Sequence, residues 1–439
     1  MLTQVDNERL TRIGPGTDMG AVFRAYWQPA LLSRELTAAG APVRVRILGE
    51  DFLAFRDGNG QVGVVEPRCP HRGADLYFGR NESCGLRCAY HGWQFDVHGQ
   101  CIDVPTAGDE QADRIRSKAT LQSLTVREQG DMVWVHFGQP SEGVPQLDFM
   151  QLPQEHYFVS KKLQQCNWAQ AVEGGLDTAH FSYLHANIEE GERVGLLPSQ
   201  GANEPPETGR YRWMIEDASP RFTVLTHDAG LLLCAARQAD DNRLYWRMTQ
   251  FLLPNHSMAP NSFPGDNHSG NTWVPIDDHS CWIFCYAYNP ERPLTEQERQ
   301  LYAGGFGIFA EVDEHYIPRR RRENEYLLDR DLQQQGNFTG IVGVSEQDAA
   351  IADSQGLIAD RSRELLGQTD LGVVRFRQAM FAAADAVQAG QAPPGSRSPA
   401  AYCVRSGDAM SACDAPADAV AVERFAQLAG HNLRQLTHA

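Results

Sequence analysis

Hydrophobic and polar residues alternate in the first third of the chain, and this alternation predicts β-strands. From Val43 to Ile47 every second residue is apolar, and a second apolar run spans Val62 to Val65. A period of two places one set of side chains on one face of a sheet. A later run, from Met132 to Phe137, closes the pattern. We therefore predict a mostly β segment over residues 43–140, preceded by a helical segment over residues 1–42.

The rest of the chain mixes helical and strand patterns. In chain order, the predicted elements are a helix over residues 167–186, strands over Arg221–Leu225, Gly230–Arg237 and Leu244–Leu253, and helices over residues 295–318 and 358–389. Residues 390–418 are rich in Pro, Gly, Ser, Ala and Asp, a composition typical of a flexible connector. The last predicted element is a short amphipathic helix from Val420 to Leu436. We assign residues 141–439 to a second domain.

Composition and charge narrow the class of protein. The chain has 439 residues, with 39 Lys and Arg against 56 Asp and Glu, which gives a formal net charge of −17. This negative charge argues against nucleic acid or an anionic membrane surface as the main partner, but it leaves room for a local basic pocket. No apolar run reaches the roughly 18 residues of a membrane span, and the N-terminus lacks a signal-peptide pattern. We expect a cytoplasmic protein whose ten cysteines are thiols or metal ligands.

Two Cys–His pairs stand out in the β-rich segment. Cys69 and His71 form a C-x-H pair, and Cys88 and His91 form a C-x-x-H pair 16 residues later. Sulfur and imidazole ligands suit both iron and zinc, but zinc fingers usually pair Cys with Cys and His with His. A Rieske [2Fe–2S] cluster places two Cys on one iron and two His on the other, so each pair would supply one ligand to each iron. We interpret the four residues as cluster ligands, with a structural zinc knuckle as the alternative.

A second candidate metal site lies in the predicted helix over residues 167–186. Asp177 and His180 are three residues apart and would share a helix face, whereas His180 and His185 are five apart. At 100° per residue these two imidazoles would diverge, so they can converge only if the helix ends or contains a π-type bulge. Two His and one carboxylate with open positions form the facial triad of non-haem Fe(II) oxygenases.

The carboxylate of this triad must come from elsewhere in the chain. The best candidate segment spans residues 346–353, in which Asp348 is the favoured residue, with Asp353 and Glu346 as alternatives. The acidic run at residues 311–315 is a weaker alternative and is more typical of a solvated helix face.

These motifs together carry a resemblance to a known family. The element C-x-H…C-x-x-H-G-W is followed by N-W-x-Q-x-x-E-G-x-x-D-x-x-H-x-x-x-x-H over residues 167–185. In these motifs and their order, the chain resembles the α (large) subunit of Rieske non-haem iron ring-hydroxylating oxygenases. Gln347-Asp348, followed by D-R-S-R-E-L-L-G at residues 360–367, is similar to the phthalate dioxygenase branch. That branch also contains chlorobenzoate dioxygenases and aryl demethylases.

The resemblance implies an α+β fold with an N-terminal Rieske β domain and a catalytic domain in which helices flank a central antiparallel sheet. It also implies a homotrimer or stacked hexamer, in which the cluster of one subunit faces the iron of its neighbour. Asp177 would then connect the two centres by accepting a hydrogen bond from a cluster histidine across the interface and by orienting His180.

The resemblance further implies the oxygenase component of a multicomponent system. Electrons would come from NADH through a separate reductase, because the chain has no G-x-G-x-x-G dinucleotide signature. The expected reaction is cis-dihydroxylation by O₂ of an aromatic carboxylate, phthalate or a close relative. Arg247, in an aromatic-rich strand, is the first candidate to bind the carboxylate, followed by Arg210 and Ser182. The alternatives are O- or N-demethylation by monooxygenation, and a Rieske electron carrier without oxygen chemistry.

Overall fold

The architecture is taken from a computed structural model, which describes residues 1–140, 142–196, 209–260, 267–425, 428 and 433–435. Its helices are α1 (Gln4–Thr11), α2 (Asp18–Arg24), α3 (Asp109–Arg116), α4 (Trp168–Leu176), α5 (Arg210–Glu216), α6 (Glu296–Ala303), α7 (Arg330–Gln335), α8 (Val344–Ser354), α9 (Leu371–Gln388) and α10 (Ala417–Arg424). Among the described residues, no helix combines the length and apolar character that a membrane span needs.

The strands of the first third form small antiparallel sheets, as the alternation predicts. They are β1 (Gln28–Leu32), β2 (Val43–Ile47), β3 (Glu50–Arg56), β4 (Val62–Val65), β5 (Arg80–Glu82), β6 (Gly85–Arg87), β7 (Gln94–Phe95), β8 (Cys101–Asp103), β9 (Thr125–Gln129) and β10 (Met132–His136). They pair in the orders β2-β3-β4, β5-β6-β7-β8 and β1-β10-β9. A separate hydrophobic cluster, which includes Phe55, Leu86, Trp93 and Phe95, fills the space beneath β5–β8.

A large antiparallel sheet organises the second part of the chain. The remaining strands are β11 (Tyr157–Gln164), β12 (Ala186–Glu189), β13 (Glu192–Leu196), β14 (Arg221–His227), β15 (Gly230–Gln238), β16 (Arg243–Leu252), β17 (His256–Met258), β18 (His268–Asp277), β19 (Ser280–Tyr288), β20 (Gly407–Ala412) and β21 (Arg434–Gln435). Within the described ranges the sheet has nine strands in the order β11-β19-β18-β17-β16-β15-β14-β21, with β20 also paired to β16. Helices α4 and α9 contact this sheet, so the α+β architecture with a flanked antiparallel sheet is confirmed.

Two predicted segments differ from the structure. The segment over residues 1–42 is not wholly helical, because β1 lies within it and pairs with β10. The predicted connector over residues 390–418 contains β20, and the hydroxyl of buried Tyr402 donates to the Leu253 carbonyl at 2.7 Å. The small residues of β20 show no strand pattern in the sequence. This strand is stabilised by pairing with β16 and not by apolar residues of its own. The domain boundaries themselves stay a prediction.

Predicted helices are also longer than the observed ones. In residues 295–318 only α6 is α-helical, and Gly304 and Gly305 follow it. In residues 358–389 only α9 is α-helical. The pattern from Val420 to Leu436 begins inside α10 and then partly lies outside the described residues.

Helix α4 is tied to the C-terminal part by an almost buried ion-pair cluster. Glu173 accepts from Arg361 at 2.8 Å and from Arg377 at 2.7 Å, and Arg377 also pairs with Glu364. Burial alone would raise the pKa of Glu173, but the charges and hydrogen bonds of the two arginines outweigh it and lower the pKa. The cluster therefore stabilises the folded protein at pH values above about 4.5, the usual pKa of glutamate.

Removing this charge should destabilise the protein. Glu173→Gln is expected to lower the free energy of unfolding by about 3–5 kcal/mol at pH 7, because it leaves buried Arg361 without a carboxylate and leaves Arg377 with Glu364 alone. The difference from wild type should shrink as the pH falls below about 4.5. In the wild type, Glu173 is protonated first in the unfolded state and, at lower pH, also in the folded state.

Urea unfolding followed by tryptophan fluorescence measures this effect. The matched control is Glu110→Gln, which breaks the exposed pair with Arg114 and should change stability by less than about 0.5 kcal/mol. An equal effect of both substitutions would contradict the assigned role of Glu173.

Candidate active site

Two loops of similar shape carry the four candidate cluster ligands. Cys69 and His71 lie between β4 and β5, and Cys88 and His91 lie between β6 and β7. In each loop the glycine four residues after the cysteine donates its N–H to that cysteine's carbonyl, at 2.9 Å in the first loop and 3.0 Å in the second. These two glycines have φ values of +74° and +76°, a conformation that L side chains rarely adopt. The same turn is thus built twice although the ligand spacings differ.

The side chains of these loops suit an iron–sulfur cluster. Both cysteines are buried, and the imidazole centroids of His71 and His91 lie 4.5 Å apart. Trp93 stacks on His71 with centroids 4.4 Å apart and planes 8° apart. Burial raises the pKa of Cys69 to about 11, and neighbouring Cys88 adds to the effect. The thiolate that a cluster requires would therefore need positively charged iron beside it, and the donor set fits such a group.

The second metal site forms because α4 ends before its histidines. The helix runs from Trp168 to Leu176, Asp177 is its C-cap with extended backbone, and His180 begins a short 3₁₀ turn. Gly175 in the last turn has no room for a side chain, since a Cβ there would meet the ring of Trp273 at 2.6 Å. The observed helix is shorter than the one predicted over residues 167–186. Because it ends before His180, the two histidines can converge.

His180, His185 and Asp348 converge on one point. The Nε2 atoms of the two histidines are 3.2 Å apart, and Asp348 Oδ1 lies 3.5 Å from His180 Nε2 and 3.1 Å from His185 Nε2. Ligands held at about 2.0–2.2 Å from one ion at roughly right angles are about 3 Å apart, so the spacing fits a shared metal. Among the described residues, this trio is a group of potential ligands with all its donor atoms within 4.8 Å of one another.

The alternative carboxylates are engaged elsewhere. Asp353 accepts from Gln164 at 2.5 Å and from the hydroxyl of Tyr326. Glu346 is buried away from the trio, and burial raises its pKa. The acidic run at residues 311–315 forms an exposed turn and not a helix face. Of the acids considered in the sequence, Asp348 is thus the one that the structure brings to both histidines.

Two neighbouring side chains fix the orientation of the imidazoles. Asp177 Oδ2 lies 3.3 Å from His180 Nδ1, and Gln347 Oε1 lies 2.7 Å from His185 Nδ1. A carboxylate can only accept, and the Gln347 amide nitrogen already donates to the Ile341 carbonyl at 2.9 Å. Both Nδ1 atoms therefore carry the proton, and both Nε2 atoms keep a lone pair for a metal. Gln347 received no role in the sequence analysis, although it directly precedes Asp348.

The electrostatics of the trio favour positive charge at the point where its donor atoms meet. Burial alone would raise the pKa of Asp348, but the charges of His185 and His180 and a hydrogen bond from His185 outweigh it and lower the pKa. Burial opposes protonation of His180, yet Asp177 and then Asp348 raise its pKa overall. Cations are therefore stabilised at this point of the chain.

A cavity of about 120 Å³ opens beside the trio. An apolar cavity of roughly 150 Å³ can hold one benzene molecule, so the space suits a single aromatic ring. One wall contains the aromatic rings of Phe181, Phe306 and Phe309, and the sheet contributes Arg247, Thr249, Ser257 and Asn271.

Of the three residues that were predicted to bind substrate, the structure brings Arg247 to the cavity and places Ser182 and Arg210 elsewhere. Arg247 lines the cavity, is buried, and has its guanidinium carbon 4.5 Å from the ring centroid of Phe181. Ser182 does not line the cavity, because its buried hydroxyl donates to the Met214 carbonyl at 2.6 Å. Arg210 does not line it either. It begins helix α5, and its guanidinium pairs with Asp408 at 3.1 Å.

Both parts of this chain are similar in sequence to known protein families. A model of the Rieske [2Fe-2S] domain matches residues 26–123, and a model described as LigXa C-terminal domain like matches residues 138–409. The chain is 37% identical over 407 residues to the phthalate 4,5-dioxygenase oxygenase subunit of Pseudomonas putida, covering 90% of this chain and 89% of the relative. It is 35% identical over 412 residues to the 3-chlorobenzoate-3,4-dioxygenase oxygenase subunit of Comamonas testosteroni, covering 89% and 90%.

In fold, the chain is similar to the solved structure of NdmA from Pseudomonas putida CBB5. The TM-score is 0.56 at 16% identity, and the superposition covers 91% of this chain and 100% of that one. The two ranges matched by the domain models contain every candidate metal ligand described above.

The contact between Gln347 and His185 leads to a test of metal binding. Gln347→Leu is expected to weaken iron binding about 10–100-fold, because the proton and ring orientation of His185 lose their support. Iron retained during titration with a chelator measures this, and an unchanged sulfide content shows that the cluster is intact. The matched control is Gln334→Leu on the exposed surface of α7. Equal iron retention in both variants would contradict the role given to Gln347.

Proposed function

The chain belongs to the Rieske non-haem iron oxygenases, and from this membership we propose that it cis-dihydroxylates an aromatic carboxylate, phthalate or a close relative, with O₂. It would act as the oxygenase component of a system in which a separate reductase carries electrons from NADH. Two relatives are a phthalate and a 3-chlorobenzoate dioxygenase subunit, which supports an aromatic acid as substrate.

The observation that carries the proposal is the buried cation in the cavity wall. Only 4% of Arg247 is exposed, its Nε lacks a hydrogen-bond partner, and among the described residues no carboxylate forms an ion pair with it. A buried charge without a partner is costly, so a ligand carboxylate would offset that cost. The planar guanidinium can meet a carboxylate with two parallel hydrogen bonds, which would hold the attached ring beside the metal trio.

The residues around the metals have separate tasks. His180, His185 and Asp348 would hold Fe(II), and Cys69, His71, Cys88 and His91 would hold the [2Fe–2S] cluster; when bound, these groups supply oxygen activation and single electrons. Asp177 holds the proton on His180 Nδ1, and in an assembly it would accept a hydrogen bond from a cluster histidine of a neighbouring subunit. The aromatic wall formed by Phe181, Phe306 and Phe309 excludes water from the ring.

The surface around the cluster histidines supports contact with another protein. Tyr90 is 57% exposed and Phe78 is 71% exposed, and both lie in or beside the loops that carry His71 and His91. Exposed aromatic residues are typical of protein interfaces. This supports a homotrimer or stacked hexamer in which one subunit's cluster faces its neighbour's iron. The cytoplasmic location stays a prediction.

A panel of aromatic compounds with O₂, NADH and a reductase tests the reaction. Benzoates and phthalates are expected to consume O₂ and to give cis-diols, identified by mass spectrometry with both oxygen atoms from ¹⁸O₂. Release of formaldehyde from methoxyarenes, without a diol, would establish the demethylase alternative instead. Oxidation of NADH without any oxygenated product would support the electron carrier.

Removal of the arginine should affect acid substrates alone. Arg247→Ala is expected to lower kcat/KM for the best aromatic acid by roughly 30-fold or more, because an unpaired carboxylate in a dry pocket costs on the order of 2–5 kcal/mol. Steady-state O₂ uptake measures this, with iron and sulfide contents checked in each variant.

The matched control is Arg221→Ala, since Arg221 is exposed on β14 of the same sheet. A KM within a factor of two of wild type in Arg247→Ala would refute the carboxylate contact.

A further inference from the structure

A second and larger cavity, of about 930 Å³, lies beside the metal cavity. The two cavities share the wall residues Phe306, Gly307 and Val344. Among the described residues, none that lines the metal cavity is exposed, whereas the wall of the second cavity includes exposed residues such as Gln300 and Val342. The second cavity therefore extends from the shared wall to the protein surface.

Phe306 is the largest side chain in the shared wall. It is 8% exposed, and it lies between Gly305 and Gly307, whose φ values are +91° and +64°. A Cβ at Gly307 would meet no heavy atom within 4 Å, so there is open space next to this ring. A change in the rotamer of Phe306 would thus join the metal cavity to the second cavity.

A buried carboxylate oxygen in the second cavity lacks a hydrogen-bond donor. Glu346 lines this cavity and is 2% exposed, and its Oε2 has no hydrogen-bond partner among the described residues. Gly343, which lines the same cavity with a φ of +97°, leaves space beside Oε2, since a Cβ there would clash with it. Because an unpaired buried polar atom costs free energy, a ligand with a hydroxyl group would offset that cost.

The cations near Glu346 leave room for such a ligand. Lys162 Nζ donates to the Ile308 carbonyl at 2.7 Å. Arg320 lines the second cavity, and its Nη1 lies 3.6 Å from Glu311 Oε2, which is longer than a hydrogen bond. Both cations exert their charge on Glu346. The second cavity therefore contains charges of both signs and would not exclude a ligand that carries a carboxylate.

We propose that the second cavity is an exit chamber that binds the cis-diol product, with Glu346 Oε2 as the partner of its hydroxyl groups. The inference rests on the proposed function. An ionised aromatic acid has a carboxylate that can only accept hydrogen bonds, whereas its cis-diol adds two hydroxyls that can donate as well as accept. The groups that distinguish product from substrate are thus the groups that Oε2 lacks, so the chamber would favour the product.

Equilibrium dialysis of a ¹⁴C-labelled cis-diol tests for a separate site. The diol is prepared from the best aromatic acid, and the oxidised holoenzyme is used without NADH, so that no turnover occurs. One diol per chain is expected to bind with a Kd that changes less than twofold when the parent acid is saturating. Displacement of the diol by the acid would place both in the metal cavity and would overturn the proposal. If no aromatic acid yields a diol, the proposed function itself fails.

Removal of the carboxylate should weaken this binding. Glu346→Leu is expected to raise the Kd of the diol about tenfold or more, because the hydroxyls lose their acceptor. The matched control is Glu296→Leu, since Glu296 is exposed on α6 beside the chamber but outside its wall. Iron and sulfide contents are compared with wild type in both variants. Equal Kd values in the two variants would contradict the role of Glu346.

A second variant tests the chamber without changing a residue near the metal trio. Ala303 is exposed at the end of α6 and lines the second cavity, so Ala303→Trp should fill part of it. This variant is expected to raise the Kd of the diol at least tenfold and to keep KM for the acid within a factor of two. An unchanged Kd would refute the chamber. An equal rise in KM would show that the substrate uses the same passage, which would overturn its assignment to the product.

Discussion

The end of helix α4 at Leu176 is the constraint on which the site depends. Two histidines five residues apart cannot meet on a regular helix, so the chain must leave helical geometry before His180. Glu173, one turn earlier, anchors the helix to Arg361 and Arg377, far away in sequence. The position of the histidines is thus set by a buried ion pair that touches neither of them.

Ion pairs and hydrogen bonds also fix the charged side chains beside the cavity. Two carboxylates near the cavity have specific cationic or imidazole partners: Asp177 faces His180, and Asp408 pairs with Arg210. Arg247 departs from this pattern within the described residues, and it lies in the wall next to the metal trio. A buried charge without a partner in a cavity wall indicates where a ligand of opposite charge would bind.

Local sequence predicted much of the site because its ligands lie in short segments. Few residues separate the cysteine from the histidine in each Cys–His loop, and few separate His180 from His185. These spacings alone suggested a cluster and a triad. The strands β2, β4 and β14–β16 followed from alternation and apolar runs. By contrast, Gly175 in the last turn of α4 packs against Trp273, a contact between residues about a hundred positions apart that no local pattern contains.

The C-terminal part shows why substrate contacts were harder to predict than metal ligands. Residues 390–418 have the composition of a connector, yet β20 pairs with β16 and places Asp408 opposite Arg247. Strand pairing of this kind depends on the partner strand and its register, which a local window cannot contain. Ser182 and Arg210 were plausible substrate contacts by residue type. In the structure, Ser182 donates a hydrogen bond to the Met214 carbonyl, and Arg210 forms an ion pair with Asp408. The cysteine and histidine ligands can thus be recognised from local spacing, whereas the charge that a substrate would meet depends on pairing across the whole sheet.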